Sequence, residues 1–170
     1  MEQAFAIPDQ RRGIDRERIG GHLGPAQRHA DRPPGRQPEI ADPAGKKFGV
    51  IVAVQNHGDF INTGAEHLSL LRRVDHEWCA ALVDTGKYLG ADPYADIAMV
   101  APYAVNWQIK ETTGSEATTP KTDMKKLVTI IRRSGYRGYI PIETLSMRRP
   151  GYDSYVESTK MLTELRAALT

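Results

Sequence analysis

The chain has 170 residues, enough for one domain with a real core. Its 23 basic and 21 acidic side chains leave a net charge of +2, a field too weak to call for nucleic acid or an anionic membrane surface. The single Cys79 cannot form an internal disulfide, no apolar run approaches the ~20 residues of a membrane span, and Met1-Glu2-Gln3-Ala4-Phe5 lacks the pattern of a secretory signal, so the expected location is the cytoplasm.

Composition changes near Gly45. Residues 1–45 carry seven Arg and no Lys, six of the eleven Pro, six Gly and one aromatic, Phe5. Gly20-Gly21, Pro33-Pro34-Gly35 and Pro38 are breaker signals, and no apolar period persists. Such a segment buries too little apolar surface to offset its ordering entropy, so disorder is expected. Arg, Pro, Gly, Ala and His without Lys is also what GC-rich DNA yields when translated out of frame, with the native frame then resuming near Lys46. Seven acidic residues cancel the seven Arg, which argues against an RNA-binding arm.

From residue 46 to 170 the pattern is regular. Val50–Gln55 reads as a first strand. Thr63-Gly64-Ala65-Glu66 is a capping box opening a helix with Leu68, Leu71 and Val74 on its apolar face. Ala80–Asp84 is a second strand. Asp92-Pro93 then sets a cap before a helix-starting proline, with Ile97 and Val100 facing inward. Ala104–Gln108 is a third strand. Asp123 starts a helix with Met124, Leu127, Val128 and Ile131 on one face, ended by Gly135. Tyr139–Glu143 is a fourth strand, and Val156, Leu162, Leu165 and Leu169 mark a last helix. The predicted fold is α/β, a parallel (β/α) barrel type. Four βα units fill these 125 residues, whereas a closed eight-stranded barrel needs roughly 250. Half a barrel exposes strand edges and the inner sheet face, which predicts a homodimer or a missing N-terminal half.

Each strand stops on a residue able to hold a metal or a sugar: Gln55, Asp84, Gln108 and Glu143. Ligands of parallel β/α folds gather beyond the carboxyl ends of the strands, so the four are expected to converge. A glutamine there offers a neutral carbonyl oxygen, or merely bonds a neighbouring loop. Asp84, after an apolar run, must be paired, hydrogen-bonded or metal-bound, with Lys87 as a candidate neutraliser. Asn106 and Gln108 share one side of their strand, and Trp107 points the other way, into the helix layer. Lys110 lies on the side of Gln108 and would suit a developing oxyanion. Glu143 has no base beside it in sequence, which suggests a metal ligand or general base. His57 is a candidate proton shuttle, substrate donor or loop anchor. Arg148-Arg149 would suit a phosphate. Cys79, in an apolar strand, reads as inert packing.

The strings Val54-Gln55-Asn56-His57-Gly58, Val83-Asp84-Thr85-Gly86, Asp92-Pro93-Tyr94 with Ala101-Pro102-Tyr103-Ala104-Val105, and Gly135 through Glu143 resemble the sugar phosphate isomerase/epimerase family, the xylose isomerase-like TIM barrels. The likeness covers about residues 46–146 and extends more weakly into the last helix. It implies a divalent metal held at the strand ends by Glu, Asp, His and Glu, matched here by Gln55, Asp84, Gln108 and Glu143. Two of these depart from the pattern, and a further family histidine corresponds to Lys87. All-oxygen ligation with two charges would bind weakly and favour Mg²⁺ or Mn²⁺ over Zn²⁺. The family's first base falls on Gln55, which cannot take a proton. The resemblance thus implies proton abstraction next to a carbonyl in a sugar or sugar phosphate, with Glu143 as base and His57, Lys87 and Lys110 on the substrate. The alternatives are a lyase or hydrolase acting on an oxidised sugar in the same fold, and a catalytically silent carbohydrate-binding fragment.

Overall fold

A computed structural model of the chain describes residues 42–114, 121–144 and 150–170. The expectations for residues 1–41 and for Arg148-Arg149 lie outside the described residues.

The chain runs α1 (Asp42–Phe48), β1 (Val52–Gln55), α2 (Gly64–Val74), β2 (Cys79–Asp84), α3 (Pro93–Val100), a 3₁₀ turn (Ala101–Tyr103), β3 (Ala104–Gln108), α4 (Met124–Arg133) and α5 (Ser154–Leu169). Helix α1 lies across the composition boundary at Gly45 and stops at Gly49, whose φ of +67° is open to glycine at little cost. The strands form one parallel sheet in the order β1-β2-β3. Pairing runs Val52 with Cys79 to Gln55 with Leu82, then Ala81 with Ala104 and Leu82 with Asn106 to Asp84 with Gln108. The step from Ala104 to Asn106 leaves Val105 unmatched, an irregularity between Ala81 and Leu82.

The fourth expected strand is reduced to a single parallel bridge between Ile109 and Ile142. Ile109 donates its amide to the Pro141 carbonyl at 2.9 Å and accepts from the Glu143 amide at 2.9 Å. Pro141 has no N–H and shortens any ladder through it. Tyr136 fastens the segment instead: its hydroxyl donates to the Tyr139 carbonyl at 2.8 Å, and its ring meets Trp107 edge-on, centroids 5.9 Å apart.

The helices start where capping chemistry dictates. Thr63 and Glu66 close both arms of a capping box on α2, Asp92 caps α3 with Pro93 in its first turn, and Asp123 and Asp153 cap α4 and α5. Gly64 lets α2 approach α3: a Cβ there would sit 2.7 Å from the Asp96 backbone oxygen. The core lies between the sheet's outer face and the helices. Ala81, Val83, Trp107 and Ile109 pack against Leu68, Leu71, Ile97, Val100, Leu127, Val128 and Ile131. Trp107 is fully buried there, as its alternation in the strand predicts. Helix α5 departs from expectation, because Met161 and Leu165 are its buried residues while Val156, Leu162 and Leu169 are exposed. Its core-facing seam is narrow, and leucine alone does not mark it. Val74 is only half-buried, in the last turn of α2.

The other sheet face is lined by Ala53, Gln55, Ala80, Leu82, Asp84, Asn106 and Gln108 by strand alternation. Ala53 and Asn106 on it are exposed. Among the described residues no helix is long and apolar enough to cross a membrane.

Candidate active site

The strand ends bring Gln55, Asp84, Gln108 and Glu143 together with Lys110. Gln55 Nε2 donates to Gln108 Oε1 at 2.6 Å and to Asp84 Oδ2 at 3.3 Å. Lys110 Nζ lies 3.4 Å from Asp84 Oδ2 and 2.9 Å from Glu143 Oε2, an ion pair with each. Glu143 is therefore not uncompensated, because a residue 33 positions earlier in the chain reaches it. Nor does Lys87 neutralise Asp84; Lys110 does.

These positions are built from the backbone up. Fully buried Asn56 continues the β1–β2 ladder past its last paired residue: its amide donates to the Asp84 carbonyl at 2.9 Å and accepts from the Asp84 N–H at 2.9 Å. Thr85 ties β2 to β3, its N–H donating to the Gln108 carbonyl at 3.0 Å and its hydroxyl accepting from the Lys110 N–H at 3.0 Å. The Thr122 hydroxyl donates to the Lys110 carbonyl at 2.7 Å. Both main-chain polar groups of Lys110 are thus held by side chains just beyond the end of β3. Its stem passes over Gly86, where a Cβ would stand 2.8 Å from Lys110 Cγ. Lys110 is 4% exposed and Asp84 wholly buried, whereas the Glu143 side chain is 35% exposed and still reaches the open end.

Asp84 accepts on both carboxylate oxygens, with the Gly86 N–H on Oδ1 at 3.0 Å. Burial pushes its carboxyl above the ordinary range, and the Lys110 charge and these hydrogen bonds oppose that shift. Beneath Gln55, His67 Nε2 donates to the Val54 carbonyl at 3.0 Å, leaving Nδ1 to accept from the Tyr88 hydroxyl at 2.8 Å. His67 is fully buried, and burial holds its ring neutral by lowering its pKa.

Among the described residues the His57 and Lys87 side chains form no ion pair with this cluster. The His57 side chain is 64% exposed, with Nδ1 3.4 Å from Asp59 Oδ2. Lys87 is half-buried, its stem beside Gly58 and its N–H 3.3 Å from the Asp84 carbonyl. Half-buried Cys79 has its thiol pKa raised by burial, the setting of an unreactive thiol.

As folded, these residues do not fit a divalent ion. The Lys110 ammonium occupies the gap between the two carboxylates. Gln55 presents its nitrogen to Asp84, as it must towards a group that only accepts. Among the described residues no group of three or more His, Cys, Asp or Glu side chains converges on a metal position.

Parallel strands and crossover helices define part of a β/α-barrel, and the polar cluster lies beyond the strands' carboxyl ends, where ligands of such folds gather. The model of the xylose isomerase-like TIM barrel matches residues 37–165, and the chain belongs to that family. No curated protein matches it. Asn56, Thr85, Gly86 and His67 are site-building residues that the strand-end pattern alone does not reveal. His67 carried a signal, since it shares a helical face with Leu71.

Proposed function

We propose that the chain acts on a sugar or sugar phosphate as an isomerase- or epimerase-type enzyme, abstracting the proton next to a carbonyl. The observation behind this is the Glu143–Lys110 pair, a carboxylate and an ammonium 2.9 Å apart at the open end of the sheet. The Glu143 carboxylate takes the proton, the C–H electron pair becomes the new C=C bond, and the carbonyl π electrons move to oxygen. Lys110 faces that oxygen, where a fixed cation is worth more than in water. Transfer of the hydroxyl proton on the neighbouring carbon to that oxygen, with return of the carbon-bound proton from Glu143 to the former carbonyl carbon, turns the C–OH into the new C=O and completes an isomerisation. Gln55 takes no proton, so the chemistry uses one base, and Gln55 and Gln108 serve as hydrogen-bonding partners for sugar hydroxyls. The proposed compartment is the cytoplasm.

Product analysis on a panel of aldoses, ketoses and their phosphates tests this. Wild type is expected to interconvert at least one aldose–ketose pair, with Glu143→Gln losing at least about a hundredfold in kcat. Cleavage or elimination products from an oxidised sugar would move the assignment to a lyase or hydrolase in the same fold. The Gln55–Gln108 hydrogen bond favours a second reading, a silent carbohydrate-binding fragment, since neutral amides bind hydroxyls without chemistry. Sugar binding unaltered in Glu143→Gln, with no turnover in either protein, would support that reading instead.

A further inference from the structure

We propose that the Lys110 ammonium is the resident cation of this site, standing where the family's divalent ion is expected, so that the site acts without a metal. This rests on the carbonyl-sugar reading above and deepens it. A surface lysine that happened to meet a carboxylate would be exposed and free to swing. Lys110 is 4% exposed, its N–H and carbonyl are held by the Thr85 and Thr122 hydroxyls, and its stem needs the bare Cα of Gly86. From that fixed base, Nζ reaches Asp84 Oδ2 at 3.4 Å and Glu143 Oε2 at 2.9 Å, the only carboxylates among the four strand-end residues.

The neighbours agree with a fixed ammonium and oppose a second cation. Gly86 N–H on Oδ1 and Gln55 Nε2 on Oδ2 both donate to Asp84, and Gln55 turns its nitrogen rather than its carbonyl oxygen to that side. A divalent ion also needs oxygen ligands at about 2.0–2.6 Å, which would set it against the ammonium.

The substitution narrows the ligand class. An ammonium already paired with two carboxylates offers a ligand one point of positive charge. A divalent ion instead chelates two neighbouring oxygens. With both carboxylates ionised, Asp84, Glu143 and Lys110 together carry one net negative charge, which disfavours a carboxylate ligand at this point. The fitting ligand is a neutral carbonyl sugar presenting one oxygen to Lys110, with any phosphate held away from the strand ends.

Titration of the full chain with Mn²⁺, followed by the loss of the free-ion electron paramagnetic resonance signal, tests this. Wild type is expected to leave the signal unchanged. Lys110→Gln, checked for folding by circular dichroism, is expected to bind Mn²⁺ at least about tenfold more tightly, because the carboxylate pair loses its ammonium. Stoichiometric Mn²⁺ binding by wild type that is lost in Asp84→Asn would overturn the proposal. So would a folded Lys110→Gln chain that takes up no Mn²⁺. If Lys110→Gln does not fold, the wild-type titration alone decides. None of these arms reads turnover, so absence of sugar chemistry would sink the functional reading and leave the metal result standing.

Discussion

Lys110 and His67 are both buried polar side chains, yet they solve the problem of burial in opposite ways. Lys110 enters the interior with two carboxylates as counter-charges, whereas His67 enters neutral, donating from one ring nitrogen and accepting at the other. The difference is readable as pH dependence. Burial lowers the His67 pKa below its ordinary 6.5, so its contribution to stability is present above pH 6.5 and is lost as pH falls through the folded value. Asp84 has the reverse sign: its pKa is raised above 3.8, so its contribution is present below 3.8 and is lost as pH rises through the folded value. Urea unfolding of wild type should therefore show stability falling as pH drops below 6.5, and His67→Gln should flatten that slope. An unchanged slope would place the titrating group elsewhere. The site's residues were legible in part. Gln55, Asp84, Gln108 and Glu143 followed from the strand ends and Lys110 from strand alternation. The Lys110–Glu143 partnership did not, because pairing across 33 residues depends on where the fourth segment docks.

At the scale of elements, the helix starts were the most legible part of the fold. Caps at Thr63, Asp92 and Asp123 are local chemistry, complete within four residues, and each begins the expected helix. The fourth strand was less legible. Its apolar run gave the right place, but Pro141 and the Tyr136 anchor determine that only one bridge forms. The join between β1 and β2 was invisible in pattern, since an asparagine after a strand reads as loop. Asn56 nonetheless supplies both hydrogen bonds that hold the Asp84 backbone. Asn56→Ala would leave the Asp84 N–H and carbonyl without these partners in a buried setting. The expected loss is about 2–4 kcal/mol of unfolding free energy in urea melts. A loss below about 0.5 kcal/mol would mean that water or a rearranged loop replaces the clasp.

For the whole molecule, the sheet's two faces are the issue. Helices cover the outer face, but on the inner face Ala53 and Asn106 are exposed, and β1 lies at the end of the strand order. Among the described residues nothing pairs with the outer edge of β1, and a parallel edge beside such a face favours association. We therefore expect the purified full chain to self-associate, with light scattering after size exclusion giving a mass above that of the monomer. A monodisperse monomer that unfolds cooperatively would mean that the chain covers this face itself. The decisive step of the proposed reaction is proton abstraction by Glu143 beside Lys110. Incubating the full chain with a carbonyl sugar in D₂O and following the carbon next to the carbonyl by proton NMR tests that directly. Deuterium should enter that carbon with wild type and stop entering it with Glu143→Gln. Exchange that persists in Glu143→Gln, or none with wild type on any sugar that it demonstrably binds, would contradict the account.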